Sequence, residues 1–170
     1  GRIESSELRL NEIFDERSPL GKARFDINID TKKPVNGNYA GNIKAQIKEF
    51  DFKGYTYKNI YLSGYFKRNS FDGTIQVNDP NGALFAQGIF KHQGQNSLFN
   101  FTARLDHFRP DRLNLTKKYE KPNISFALNA NFTGNNIDNL EGNIRLDSLS
   151  FKTEPSEFLL KKLDVAAIGH

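Results

Sequence analysis

From Ala23 to Phe151 the chain alternates apolar and polar residues with a period of two, and such alternation builds β-strands with one face turned inward. Ala23, Phe25, Ile27 and Ile29 oppose Lys22, Arg24, Asp26 and Asn28. Beyond the turn sequence TKKPVNGN, Gly41, Ile43, Ala45 and Ile47 oppose Asn42, Lys44, Gln46 and Lys48. Ile60, Leu62, Gly64 and Phe66 repeat the pattern. So do Phe99, Phe101, Ala103 and Leu105, then Ile124, Phe126, Leu128, Ala130 and Phe132, then Leu140, Gly142, Ile144 and Leu146. Between them FDGTIQVNDPNGALFAQGIF, Phe71 to Phe90, reads as a hairpin, with Asn, Asp, Pro and Gly supplying the turn. A final apolar stretch, Phe158 to Ile168, predicts a further strand.

Four details qualify the pattern. At EFDFKGYTYKN the apolar parity slips onto Phe50 and Phe52, and it slips again at Leu149 and Phe151; a bulge produces such a slip. Glycines fall on the inward parity at Gly41, Gly64, Gly73, Gly88 and Gly142, where each weakens its strand but lets the sheet bend or leaves room inside. Ala83, Phe85 and Ile89 put apolar groups on the outward parity as well, which predicts a cover over that face, a short helix or a loop. That helix is expected over Leu8 to Asp15: Leu10, Ile13 and Phe14 stand at i, i+3, i+4, Ser6 can cap, and Glu7 suits the first turn. The fold class is therefore all-β, about ten strands in one long antiparallel-type sheet. A twisted sheet of that size curls, splits or closes rather than staying flat, so a trough or a partly open barrel with an apolar inner face is expected. The inner face should carry Phe25, Ile27, Ile43, Ile47, Ile60, Leu62, Ile75, Val77, Phe99, Phe101, Leu105, Phe126, Leu128, Ile144 and Leu146.

No catalytic constellation emerges. The chain has no cysteine, which removes disulfides, thiol catalysis and cysteine-based zinc sites. His92, His107 and His170 lack partners at metal-ligand spacing and read as surface residues; no metal and no cofactor are expected. Net charge is only +4, and the densest basic stretch, Arg109 to Lys121, is broken by Asp111 and Glu120. It reads as a solvated loop, not as a nucleic-acid footprint. Asn-x-Ser/Thr triplets at Asn100, Asn114, Asn123 and Asn131 read as chance in asparagine-rich strands. The chain of 170 residues has no methionine and is expected to be a single β-rich segment of a longer protein. It contains no apolar run of the roughly 18 residues that a membrane-spanning helix needs.

The corner DFKGYTYKNI (Asp51 to Ile60), the NDPN turn after a glycine-containing strand, FTARL before Leu113–Leu115, and GNNIDNLEGNIRLDSLSF (Gly134 to Phe151) occur here in an order that resembles TamB-like proteins of the AsmA-like group. LNEIFDERSPLGKARFDINID resembles the segment that precedes them, so the resemblance covers about Leu8 to Ile168. It implies a β-rich body bent into a trough with an apolar inner face. The parent protein would be anchored in the inner membrane of a diderm bacterium and would cross the periplasm. The resemblance implies either carriage of phospholipid acyl chains between the membranes or help in the assembly of outer-membrane β-barrel proteins, with phospholipid or another apolar chain and β-barrel assembly proteins as partners, and no enzymatic activity. Two other readings stay open on the residues alone. One is a closed, lipocalin-like binder of a single apolar ligand. The other is a glycan-binding module built on Tyr55, Tyr57 and Tyr61.

Overall fold

The computed structural model describes residues 1–10, 19–35, 38–94, 96–134 and 141–167. Among them the chain runs through β1 (Arg2–Arg9), β2 (Leu20–Val35), β3 (Asn38–Phe52), β4 (Tyr55–Lys67), β5 (Ser70–Asp79), β6 (Gly82–Gln93), β7 (Asn96–Phe108), β8 (Asn123–Gly134), β9 (Glu141–Lys152), β10 (Glu157–Leu160) and β11 (Leu163–Ala167). Each strand pairs antiparallel with the next in sequence, from β1 to β10, and β11 joins β9 beside β10. The sheet is open: β1 lies at one margin, and β10 and β11 share the other. Leu160 faces Leu149 and Leu163 faces Leu146, so β10 and β11 are one edge strand in continuous register, interrupted at Lys161 and Lys162.

The expected helix meets β1 instead over its first residues. Ser6 and Glu7, read as cap and first turn, and Leu8 lie in β1, where Leu8 faces Ala23 of β2; Leu10 is helical, and residues 11–15 lie outside the described residues. Backbone pairing to β2 outweighs the modest helix preference of this stretch. Ion pairs across the edge favour it as well, Arg2 with Asp26 and Lys22 with Glu7 at 3.2 Å. Phe85 and Ile89 are 43% and 40% exposed, so the outer face of β6 is not sealed as the sequence suggested. They stand singly among Asp72, Gln76, Asn100 and Arg104 of the flanking strands, a dispersal that needs no cover.

Both phase slips are bulges. Register shifts between Arg24 and Phe25 where β2 meets β3, and Asn59 of β4 takes a left-handed φ of 54° opposite that shift. The slip at Leu149 follows a shift between Ala127 and Leu128 along β8, which leaves Asp147 of β9 unpaired there. Two further irregularities, between Ser5 and Leu8 in β1 and between Leu105 and Phe108 in β7, fall at nearly the same height in the sheet. His107 has a φ of 43° at the second of these. Bulges bend and twist a strand locally, so these shifts crease the sheet at this height on both sides of β4–β7, whose mutual ladders cross it without a shift.

Beyond the crease lies the most densely packed part of the chain. Leu113 and Pro122, in the connection between β7 and β8, are the largest fully buried side chains. The connection is therefore not the solvated loop its charges suggested. Pro110, Leu113 and Pro122 pack down, while Leu115, Tyr119 and most of the basic residues are exposed. It is tied at three places: Tyr57 donates from its hydroxyl to the Leu113 carbonyl (3.2 Å), Asn114 Nδ2 donates to the Lys53 carbonyl (3.1 Å), and the Arg109 amide donates to the Asn81 carbonyl (2.8 Å). Beneath it Asp79, 4% exposed, accepts from the Tyr55 hydroxyl (2.5 Å), the Lys58 amide (3.0 Å) and the Asn81 amide (2.8 Å). The last of these closes the NDPN turn by its own aspartate. We call the Arg109–Pro122 connection the lip.

Candidate functional site

The strand register stacks the inward residues into four rows that cross the sheet. The row nearest the lip runs Phe25, Ile47, Ile60, Val77, Leu84, Leu105, Phe126 and Leu149. The next runs Ile27, Ala45, Leu62, Ile75, Ala86, Ala103, Leu128 and Leu146. The third runs Ile43, Gly64, Gly73, Gly88, Phe101, Ala130 and Ile144. The fourth runs Phe66, Phe71, Phe90, Phe99 and Phe132 and ends on Gly142. All fifteen residues expected on the inner face thus fall on one face, while Lys44 and Lys48 of the opposite parity are exposed. The sequence-based set left out most of the phenylalanine row and Leu84, although the same parity marks them. It also left out Phe50, Phe108 and Phe151, because the bulges move them onto this face out of phase.

The size profile across these rows makes a depression. In β4 to β7 the two middle rows are built mainly of glycine and alanine, between the large aliphatic side chains nearest the lip and the phenylalanines opposite. A shallow groove of about 220 Å³ opens there, lined by Phe71, Ile75, Ala86, Phe99 and Phe101 with Gly73 and Gly88. The far wall is an aromatic stack: Phe90 lies 5.1 Å from Phe99, and Phe99 lies 4.8 Å from Phe132 with nearly parallel rings. At Gly73 the floor is as low as the backbone permits. A Cβ there would stand 2.3 Å from the Ser63 carbonyl oxygen, 2.7 Å from the Gly64 Cα and 2.6 Å from the Phe71 ring. This is why glycine recurs in phase with the inward face: the strands approach too closely for a side chain, and Phe71 lies over the gap.

The inner face is not a sealed core. None of the fifteen expected residues is fully buried, and Ile75 and Ile144 are 39% and 36% exposed. Phe90 in the far wall is 40% exposed. A self-contained domain normally packs its inward side chains to crystal-like density. Here, among the described residues, the large buried side chains Leu113 and Pro122 stand at the lip, and on the face itself only small residues such as Ala45 and Ala130 are buried.

Tyr55, Tyr57 and Tyr61 do not share a face. Tyr55 and Tyr57 meet edge to face, with centroids 4.9 Å apart, under the lip, while Tyr61 faces Gln46 on the outer side. Burial pushes the Tyr55 phenol above its ordinary pKa, and its hydrogen bond to Asp79 adds to the shift; burial and then the charge of Asp79 raise Tyr57 likewise. A phenol whose pKa is higher in the folded state stabilises the fold fully below the ordinary value of about 10 and loses that contribution as pH rises through the folded value. Ultraviolet titration will accordingly show two phenols ionising above the ordinary value of about 10. Folding stability will fall with pH above about 10, and a Tyr55→Phe/Tyr57→Phe variant will lose most of that slope. A slope unchanged in the double variant would place the high-pH sensitivity elsewhere.

No family model, no curated protein and no solved structure matches this chain.

Proposed function

We propose that this segment is a length of periplasmic trough that holds phospholipid acyl chains out of water as they pass between the inner and outer membranes. The observation that carries the reading is the inner face itself: four apolar rows, partly exposed, with a floor of glycine and alanine between two raised walls. Such a surface has no polar group to fix one ligand in one pose, and it suits a chain of methylenes. Each methylene transferred from water is worth about 0.8 kcal/mol, so a chain lying along the groove is retained by its length alone. At one margin Leu160, Leu163 and Val165 extend three of the rows through β10 and β11, and at the other Ile3 extends the second, so the apolar face runs out to open edges, which suits passage better than enclosure. The resemblance to TamB-like proteins points the same way.

Lipid extraction and native mass spectrometry of the purified chain test the reading directly, with co-purified phospholipid as the expected result. Phe101→Asp sharpens the test. Phe101 lies in the groove, half-exposed, with its ring 6.3 Å from that of Phe132. A carboxylate there stays hydrated in the empty trough but must be desolvated against a bound chain, at a cost of several kcal/mol. Lipid occupancy is expected to fall at least tenfold, the equivalent of about 1.4 kcal/mol, while the melting temperature drops by only a few degrees. Undiminished lipid binding by a folded Phe101→Asp protein would remove this groove from the path.

A further inference from the structure

The trough reading leaves the headgroup unassigned, and the lip supplies a candidate for it. We propose that the lip is a headgroup subsite that selects anionic, phosphate-bearing lipids, whose chains enter the groove beside it. The inference rests on the trough reading and adds a charge preference to it.

The lip borders the inner face one row beyond Val77 and Leu84, where Tyr57, Asp79 and Phe108 stand. At its far end Tyr119 meets the Phe151 ring edge to face at 5.4 Å, so it follows the margin from β4 to β9. Its carboxylates are occupied or exposed to solvent. Asp111 is held by Arg109 through contacts of 3.4 and 3.2 Å, and Lys121 is paired outward with Glu154. What remains is cationic. Arg112 is largely exposed, and its Nε reaches only to 4.0 Å from the already engaged Asp111. Among the described residues Lys53, Lys117 and Lys118 make no ion pair; Lys53 lies over the Phe52 ring at 5.5 Å and Lys118 over Tyr119 at 5.3 Å. Leu115 and Tyr119 are exposed between them. Uncommitted cations interleaved with apolar groups at the edge of an apolar face complement an amphiphile with an anionic head. The guanidinium of Arg112 matches a phosphate in shape as well as charge.

From the Asp79 level, where the lip stands, to the Phe71 row is eight residues of extended strand, about 26 Å. One acyl chain accounts for half of a hydrocarbon core about 30 Å thick, so roughly 15 Å. A lipid whose phosphate meets the lip therefore lays its chain past Val77 and Leu84 onto the Ile75 and Ala86 part of the floor and ends short of the phenylalanine wall.

Binding of pyrene-labelled phosphatidylglycerol and pyrene-labelled phosphatidylcholine to the whole chain, each with and without inorganic phosphate, tests this. The parent chain and an Arg112→Gln/Lys117→Gln/Lys118→Gln variant are compared, after melting curves show that the variant is folded. The expected result is tighter binding of phosphatidylglycerol by about tenfold, a preference abolished in the variant while phosphatidylcholine binding stays the same, and little competition by phosphate alone. Equal affinities in the parent chain, or a preference that survives in the variant, would overturn the headgroup subsite and leave the trough standing. Full competition by millimolar phosphate would make the lip a free-phosphate site and also overturn it. Binding of neither lipid would overturn the trough reading, and this inference with it.

Discussion

An Asp79→Ala variant is expected to melt well below the parent chain. The Asp79 carboxylate is the one buried charged group among the described residues, and it accepts from the Tyr55 hydroxyl and from the amides of Lys58 and Asn81. Truncation leaves those donors with no acceptor under the lip, and a buried donor left unpaired costs about 1–3 kcal/mol. It also releases the NDPN turn. A combined loss of about 3–5 kcal/mol lowers the melting temperature of a chain this size by roughly 6–20 °C. Asp79→Asn, which keeps one acceptor, should recover part of the loss. If Asp79→Ala melted within a degree of the parent, the cluster would not be what secures the lip.

Gly73→Val tests the other end of the argument, the floor of the groove. Its Cβ would overlap the Ser63 carbonyl oxygen and the Gly64 Cα, both backbone atoms that move only if the strands part. Overpacking costs typically about 1–3 kcal/mol even where side chains can yield, and here little can. The expected result is a chain that is unfolded at ambient temperature or melts more than about 6 °C lower. Gln87→Val, which places the same side chain on the outer face of β6, should leave the melting temperature nearly unchanged. A Gly73→Val chain as stable as the parent would mean that the strands are not in close contact at this row.

The alternation was enough to reach the open antiparallel sheet and the membership of its inner face, because a half-buried strand leaves a period-two imprint whatever its neighbours are. The slips at Phe50 and Leu149 were equally legible as bulges. What the sequence hid has a common cause, dependence on partners far along the chain. Ser6 to Leu8 became strand because β2 offers its backbone, which local spacing cannot register. Arg109 to Lys121 looked like a solvated run because charges outnumber apolar residues there. Yet Leu113 is buried, through the Tyr57 hydroxyl 56 positions earlier. Gly64, Gly73 and Gly88 could be seen to face inward, but only their cross-strand alignment turns separate glycines into one floor.

The crease has a mechanical meaning. A sheet resists deformation along its hydrogen-bonded rows and yields most easily where the ladder is already broken. The irregularities at Ser5–Leu8, Arg24–Phe25, Leu105–Phe108 and Ala127–Leu128 set such breaks nearly in line. The β4–β5, β5–β6 and β6–β7 ladders cross that line without a shift, so the strands on either side of this rigid centre are the ones that can bend there, and a twist imposed on either end of the sheet is taken up at the breaks.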